Sequence, residues 1–130
     1  MNDRDSWLSH LKKEPLGKVS AESSLEERFQ NETLRPILKM QNELFCAVFI
    51  NYAIKQKGVF FGLNPAKKEL YIEQVIQRDI KFRNVLKGMV IAYFTLAEWT
   101  EYQQHSSPLN KRMMNLLIER LKSQTQLLQP

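Results

Sequence analysis

The sequence predicts an all-α, single-domain helical bundle of about five to six helices around a central apolar helix, residues 33–57. Apolar residues recur at the three- and four-residue spacing of helices. Several helix starts carry capping residues. Signals for strands are weak, because the chain has four glycines and lacks an Asn-Gly or Asp-Gly hairpin turn. We therefore expect helices alone.

The first predicted helix is an N-terminal arm over residues 3–13, with Trp7, Leu8 and Leu11 on one side. A Glu-Pro-Leu-Gly segment follows, and its proline and glycine disfavour continuation of the helix. The next helix is short and starts at Ser24, which is predicted to form a capping box with Glu27.

The main helix is predicted to start near Thr33 and to end at Gly58, with Pro36 in its first turn. Proline is tolerated there because its missing amide would have no helical partner. The middle of this helix, residues 44–54, is apolar on every face. We therefore expect other elements to surround it.

The segment 58–63 is short and apolar, so Phe60 and Phe61 are expected to cover an end of the core. Asn64 and Pro65 then match the N-cap and first position of a new helix. From there a stripe of three- and four-residue spacing predicts either one long helix or two helices that meet near Asp79. Its members are Ile72, Val75, Asp79, Phe82, Leu86, Met89 and Tyr93.

Two further helices complete the prediction. Thr95 and Glu98 form a capping box, and this helix ends near His105. Ser106-Ser107-Pro108 is expected to cap the last helix. We divide the chain into an arm and linker at 1–22, a bundle at 23–126 and a frayed tail at 127–130. The expected core face of the last helix comprises Leu109, Met113, Leu116, Leu117 and Leu121.

Composition places limits on function. The chain has 130 residues, of which 43% are hydrophobic and 25% are charged, as expected for one domain with one core. No apolar run approaches the roughly 20 residues of a membrane-spanning helix. The polar start disfavours a secretory signal, so we expect a cytoplasmic protein without membrane partners. The single cysteine, Cys46, excludes an intrachain disulfide and is expected to pack in the core.

Four segments of the chain carry a resemblance to known proteins: 31–37, 79–84, 87–89 and 110–114. They resemble an uncharacterised family of small all-helical bacterial proteins that sometimes carry a glyoxalase label. The resemblance covers roughly residues 25–124 and implies no established activity, catalytic residue or cofactor. We set the label aside, because glyoxalases of the lactoylglutathione lyase type use βαβββ modules with His and Glu ligands. This chain has only two histidines and no predicted strands.

Two small-ligand sites are conceivable. Glu98, Glu101 and His105 share one side of a helix and could bind a metal ion, although Glu98 could simply cap its helix. Asp79 lies on an apolar stripe, so it must be paired, neutralised or exposed by a helix break.

Asp79 could pair with Arg83 one turn later and bind a polar ligand beside Asn51. The interpretation that we favour makes Asp79 the N-cap of a second helix segment.

A nucleic-acid interface is also conceivable, since the net charge is +5. Residues 95–122 could form a helix-turn-helix that places Asn110, Lys111 and Arg112 at the start of a recognition helix.

Our leading hypothesis is a non-enzymatic interaction module that binds a protein partner or itself. Its contact surface would be the arm around Trp7 and Leu11 or the loop of Phe60 and Phe61. Nucleic-acid binding is the first alternative, and a small-molecule or metal-binding enzyme is the second.

Overall fold

Helices form all of the regular structure in the part of the chain described by our computed structural model, residues 2–12 and 24–130. No strand occurs in these two ranges, and the predicted all-α, single-domain class is confirmed. A π-helical segment, Gln30–Leu34, joins α2 to α3, and short 3-10 turns cover Val59–Gly62 and Thr125–Leu127. The α-helices are α1 Asp3–Leu11, α2 Leu25–Phe29, α3 Arg35–Met40, α4 Asn42–Lys55, α5 Pro65–Arg78, α6 Ile80–Ile91, α7 Leu96–Gln104 and α8 Ser106–Lys122.

The chain from α2 to α3 is one helical rod rather than the two helices predicted. Ser24 caps its start as expected, and its side chain accepts a 3.1 Å hydrogen bond from the Glu27 amide. The rod passes through a π-helical turn directly before Pro36, where the Arg35 amide bonds to the Gln30 carbonyl, five residues back. Proline lacks an amide and crowds the carbonyl four residues earlier. The wider turn accommodates that crowding and lets the helix continue.

The most enclosed helix is α8, which contacts α2, α5, α6, α7 and the π-helical segment. This arrangement places α8 rather than α4 at the centre of the core. Four of the five residues predicted for the core face of the last helix are buried, whereas Leu116 is only partly buried. Met114 and Ile118 extend the face. The buried side chains of α8 are Leu109, Met113, Met114, Leu117, Ile118 and Leu121.

Helix α4 lies at the edge of the bundle with one face open. It buries Phe45, Phe49 and Ala53, whereas Leu44 is 48% exposed and Ile54 is 50% exposed. The prediction that other elements surround this apolar run is therefore wrong for the face that carries these two residues. Within residues 2–12 and 24–130, the other helices cover one stripe of α4 and leave the opposite stripe exposed.

The main helix predicted over residues 33–57 is divided at Gln41 into α3 and α4, so its predicted continuity is wrong. Its predicted end at Gly58 is confirmed. Gly58 and Lys57 both adopt left-handed backbone angles, with φ of 66° and 67°. The Gly58 amide donates a 2.9 Å hydrogen bond to the Ala53 carbonyl. Glycine adopts this conformation without the steric cost that a side chain brings. In the following segment, Phe60 is fully buried and covers an end of the core as predicted.

The C-terminal tail is held against the bundle, although residues 127–130 were expected to fray. Leu128 is fully buried within the hydrophobic core. Just before it, the Gln124 carboxamide exchanges two hydrogen bonds with that of Asn42, at 2.7 and 3.0 Å. A single apolar side chain and one amide pair therefore anchor a segment that has little regular structure.

The N-terminal arm docks through polar contacts as well as through the buried Leu8. The Asp5 carboxylate accepts a 3.2 Å hydrogen bond from the Leu96 amide. The Lys12 ammonium donates a 2.7 Å bond to the Tyr93 carbonyl and forms an ion pair with Glu98. These contacts attach α1 to the start of α7. Residues 13–22 of the predicted linker lie outside the described residues.

Candidate functional site

A cavity of about 580 Å³ lies between α5, α6 and α8. We call it the cationic cavity, because Arg83 and Lys111 line it and its described lining contains no carboxylate. Three apolar side chains also contribute to it, Pro108, Met114 and Ile118. The polar lining residues are Gln77, Arg83, Ser107, Asn110, Lys111 and Asn115.

Asn110 in this cavity is oriented by a neighbouring tyrosine. The hydroxyl of buried Tyr102 donates a hydrogen bond to Oδ1 of Asn110. Burial raises the pKa of Tyr102, and the bond to Asn110 only partly opposes this effect, so Tyr102 stays protonated. Because Oδ1 is occupied, the amide hydrogens of Asn110 are the groups that can meet another partner.

The predicted pair between Asp79 and Arg83 does not form among the described residues. Ion pairs there join Arg4 to Asp5, Lys12 to Glu98, and Lys122 to both Glu73 and Glu119. Neither Arg83 nor Lys111 belongs to this set. The physical reason is that the two side chains lie on different sides of α6: Asp79 faces Tyr52 on α4, whereas Arg83 lines the cavity beside α5 and α8.

Asp79 caps α6, which confirms the interpretation favoured from the sequence. Its Oδ1 accepts a 3.1 Å hydrogen bond from the Phe82 amide, and its Oδ2 accepts a 2.7 Å bond from the Tyr52 hydroxyl. The bond from Tyr52 and then the bond from Phe82 lower the pKa of Asp79. Burial and the same bond raise the pKa of Tyr52. This protonated tyrosine and ionised carboxylate link α4 to the junction of α5 and α6.

Asn51 and Asp79 both line a second concave site, a groove of about 450 Å³ between α4 and α6. In this groove the Tyr52 ring stacks on Phe82 with ring centres 4.0 Å apart. Asn51 is exposed to solvent, so it belongs to no buried polar network. Arg83 instead lines the cationic cavity. The three residues predicted to form one ligand site are therefore divided between two sites.

The predicted metal site of Glu98, Glu101 and His105 is not formed. In residues 2–12 and 24–130, no three His, Cys, Asp or Glu side chains are grouped to hold a metal ion. Glu98 pairs with Lys12 and accepts a hydrogen bond from Thr33. Burial raises the pKa of Glu101, which opposes its ionisation. The capping role of Glu98 directs its carboxylate away from a shared metal site.

The helix pair α7 and α8 differs from a typical DNA-binding helix-turn-helix. One residue, His105, separates the helices, whereas the DNA-binding motif has a turn of three or four residues. Arg112 donates a 3.0 Å hydrogen bond to Gln30, and Asn110 is bonded within the bundle. Of the three predicted contact residues, Lys111 is exposed, whereas Asn110 and Arg112 are partly buried. Nucleic-acid binding thus stays a prediction with little support from this geometry.

Sequence analysis did not identify Gln77, Tyr102 or Asn115. They lie on three different helices, and no spacing along the chain relates them. The only available signal was the one-turn separation of Lys111 and Asn115, which places both on one side of α8.

No protein-family model matches the chain, and neither curated proteins nor solved structures show a significant similarity to it. The resemblance to a family of helical bacterial proteins therefore stays a prediction. Within the described ranges, every helix is too short or too polar to cross a bilayer.

Proposed function

We propose that this protein is a non-enzymatic helical interaction module that self-associates through the open face of α4. The observation that carries the proposal is an uncovered stripe formed by Leu44, Ala47, Asn51 and Ile54, all of them exposed. Their three-four-three spacing is that of a coiled-coil seam, where a second helix covers such positions. Asparagine within a seam is a known determinant of helix pairing and register.

The stripe is complementary to itself in an antiparallel arrangement. Leu44 and Ile54 lie at equal distances along the sequence on either side of Phe49. A two-fold axis near Phe49 would therefore place Leu44 of one copy opposite Ile54 of the other. The same axis places the small Ala47 opposite Asn51, which leaves space for the carboxamide. Symmetric pairing of one patch with itself is the usual geometry of homodimers.

Charges at the two ends of the stripe support a second copy as the occupant. Glu43 and Lys55 are exposed, and neither forms an ion pair among the described residues. The same two-fold axis brings the end of the stripe that carries Glu43 level with the end that carries Lys55 in the other copy. Ends of opposite charge at the same level favour the antiparallel pairing over a parallel one, in which ends of like charge would be level.

Neighbouring apolar residues on α6 extend this surface. Ile80 is 68% exposed and Val85 is 53% exposed, and Val85 lines the groove between α4 and α6. A stable interface buries at least about 1,000 Å² in total, which is more than one short helical stripe supplies. The proposed interface therefore includes α6 at its edge.

The oligomeric state in solution tests the proposal. We expect the wild-type protein to sediment as a dimer at concentrations of about 100 μM, and the Leu44→Asn variant to sediment as a monomer. Leu70→Asn is the matched control, because Leu70 is 51% exposed on α5 and lies outside the stripe. A monomeric wild type, or equal effects of the two substitutions, would contradict the proposal.

A charge exchange tests the antiparallel geometry. Glu43→Lys and Lys55→Glu should each weaken dimerisation, because each places like charges opposite one another. The combined variant should recover most of the affinity, since both contacts are reversed together. Failure of the double variant to recover would exclude this pairing.

The arm around Trp7 is the remaining surface from the sequence hypothesis. Trp7 is 61% exposed and Leu11 is 41% exposed, whereas the fully buried Phe60 is unavailable as a contact. Loss of dimerisation in Trp7→Ser but not in Leu44→Asn would move the interface to α1. The expected cytoplasmic location and the nucleic-acid alternative stay predictions, and a salt-dependent affinity for duplex DNA tests the latter.

A further inference from the structure

We propose that the cationic cavity binds a small organic phosphate of up to mononucleotide size. This inference is independent of self-association through α4, because the cavity is lined by α5, α6 and α8.

The charge of the cavity points to an anion. Arg83 is half-buried, yet no described carboxylate pairs with it and no described hydrogen bond engages its guanidinium. Lys111 lines the same cavity and is likewise outside the ion pairs. A guanidinium has five donors and no acceptor of its own, so that of Arg83 has donors available to an anion in the cavity. A bound anion would supply the missing acceptors.

The remaining polar groups also present donors. With its Oδ1 bonded to Tyr102, Asn110 has its amide hydrogens left for a ligand. Ser107 lies in the first turn of α8, which starts without a side-chain cap. The first intrahelical hydrogen bond runs from the Leu109 amide to the His105 carbonyl. The Ser107 amide lies before this bond, in the turn where amides have no acceptor within the helix. Such amides favour negative charge and add to the effect of the two cationic side chains.

Phosphate fits this arrangement better than a single carboxylate. A phosphomonoester carries close to two negative charges at neutral pH, which matches two cations, and the arginine fork binds its oxygens in pairs. The volume of about 580 Å³ lies within the range of small-molecule sites. Met114 and Ile118 provide an apolar wall for the rest of the molecule, so an organic phosphate is favoured over the inorganic ion.

Calorimetric titration at low salt with AMP, adenosine and inorganic phosphate tests the proposal on the full chain. We expect AMP to bind about tenfold or more tightly than adenosine, because the phosphate makes the charged contacts. AMP should also bind more tightly than inorganic phosphate, since the latter lacks the apolar contact. Absence of AMP binding, or equal affinity for AMP and adenosine, would overturn the proposal.

Matched variants locate the site. Arg83→Gln should weaken AMP binding by about tenfold or more, whereas Arg78→Gln makes the same charge change at an exposed residue outside the cavity lining and should leave affinity unchanged. Equal losses in the two variants would indicate a non-specific charge effect and contradict the proposal. Circular dichroism of both variants checks that the fold is retained.

Two further measurements separate this site from other interpretations. Tyr102→Phe removes the group that orients Asn110 without changing charge, and it should weaken AMP binding several-fold. Unchanged affinity would contradict the proposed role of the Asn110 amide. Duplex DNA is the competing ligand: tighter binding to DNA than to AMP, lost on Arg83→Gln, would replace the small-molecule site with a nucleic-acid contact.

Discussion

The hydroxyl of Tyr52 on α4 donates a 2.7 Å hydrogen bond to Oδ2 of Asp79, the residue that separates α5 from α6. Oδ1 of the same carboxylate caps α6 through the Phe82 amide. Asp79 is therefore the C-cap of α5 and the N-cap of α6, and its side chain attaches this junction to α4. This contact also explains why the apolar stripe of α5 and α6 tolerates an acidic residue.

The pH dependence of stability tests the charge of Asp79. Its pKa is lowered from 3.8 in the folded protein, so its stabilising effect is present above pH 3.8 and is lost as pH falls through the lower folded value. Asp79→Asn retains a good N-cap but removes the charge. We expect wild type to be more stable than this variant near pH 6, by less than about 1 kcal/mol because partial exposure screens the charge.

Chemical denaturation at several pH values measures the difference in unfolding free energy between wild type and Asp79→Asn. This difference should stay constant from pH 7 to about pH 5 and shrink below pH 4. Tyr52→Phe, which removes the larger cause of the lowered pKa, should reduce the pH dependence. A difference that grows on acidification would contradict the assignment.

Phe49 is the aromatic centre of the core on the side of α4. It is fully buried. Its ring centre lies 5.0 Å from the ring centre of Phe60 and 6.3 Å from the ring centres of Tyr71 and Phe82. We expect Phe49→Ala to lower the free energy of unfolding by about 3–5 kcal/mol, because it leaves a cavity in a packed cluster. Exposed Leu70→Ala should change it by no more than about 0.5 kcal/mol in the same urea titration. Similar losses in the two variants would contradict this packing.

Lys12 should control the docking of α1. Only 4% of its side chain is exposed, and it contacts Glu98 and the Tyr93 carbonyl. Lys12→Met keeps an apolar stem but removes the charged contacts, so we expect faster hydrogen exchange of the α1 amides. His10→Ala, at an exposed position of the same helix, should leave the exchange rates unchanged. Equal protection in wild type and Lys12→Met would show that apolar contacts alone hold the arm.

Adjacent leucines test whether the C-terminal tail is anchored. Leu128 is fully buried, whereas Leu127 is 62% exposed. We expect Leu128→Ala to cost about 2–4 kcal/mol of unfolding free energy and Leu127→Ala to cost no more than about 0.5 kcal/mol. Thermal or urea denaturation of the pair provides the comparison. Equal unfolding free energies of Leu128→Ala and Leu127→Ala would contradict the anchoring and support the sequence-based prediction of a frayed tail.

The helix starts were largely predictable because capping is a local interaction. Ser24, Asn64 and Thr95 each accept a hydrogen bond from an amide three residues later, and Asp79 does the same at the junction of α5 and α6. Such bonds depend on neighbouring residues and on little else. The continuity of the α2–α3 rod was missed because proline is compatible both with a new helix and with a π-helical turn inside an existing one.

The sequence by itself determined the all-α class, most helix starts and the core face of α8, because periodicity and capping are properties of contiguous residues. Only the tertiary structure decided that α4 keeps an open face, that Arg83 lies with Lys111 rather than with Asp79, and that Leu128 is buried. These contacts join residues distant in the chain. An apolar stripe indicates that a surface needs covering, but the packing of the whole chain decides whether its own helices cover it.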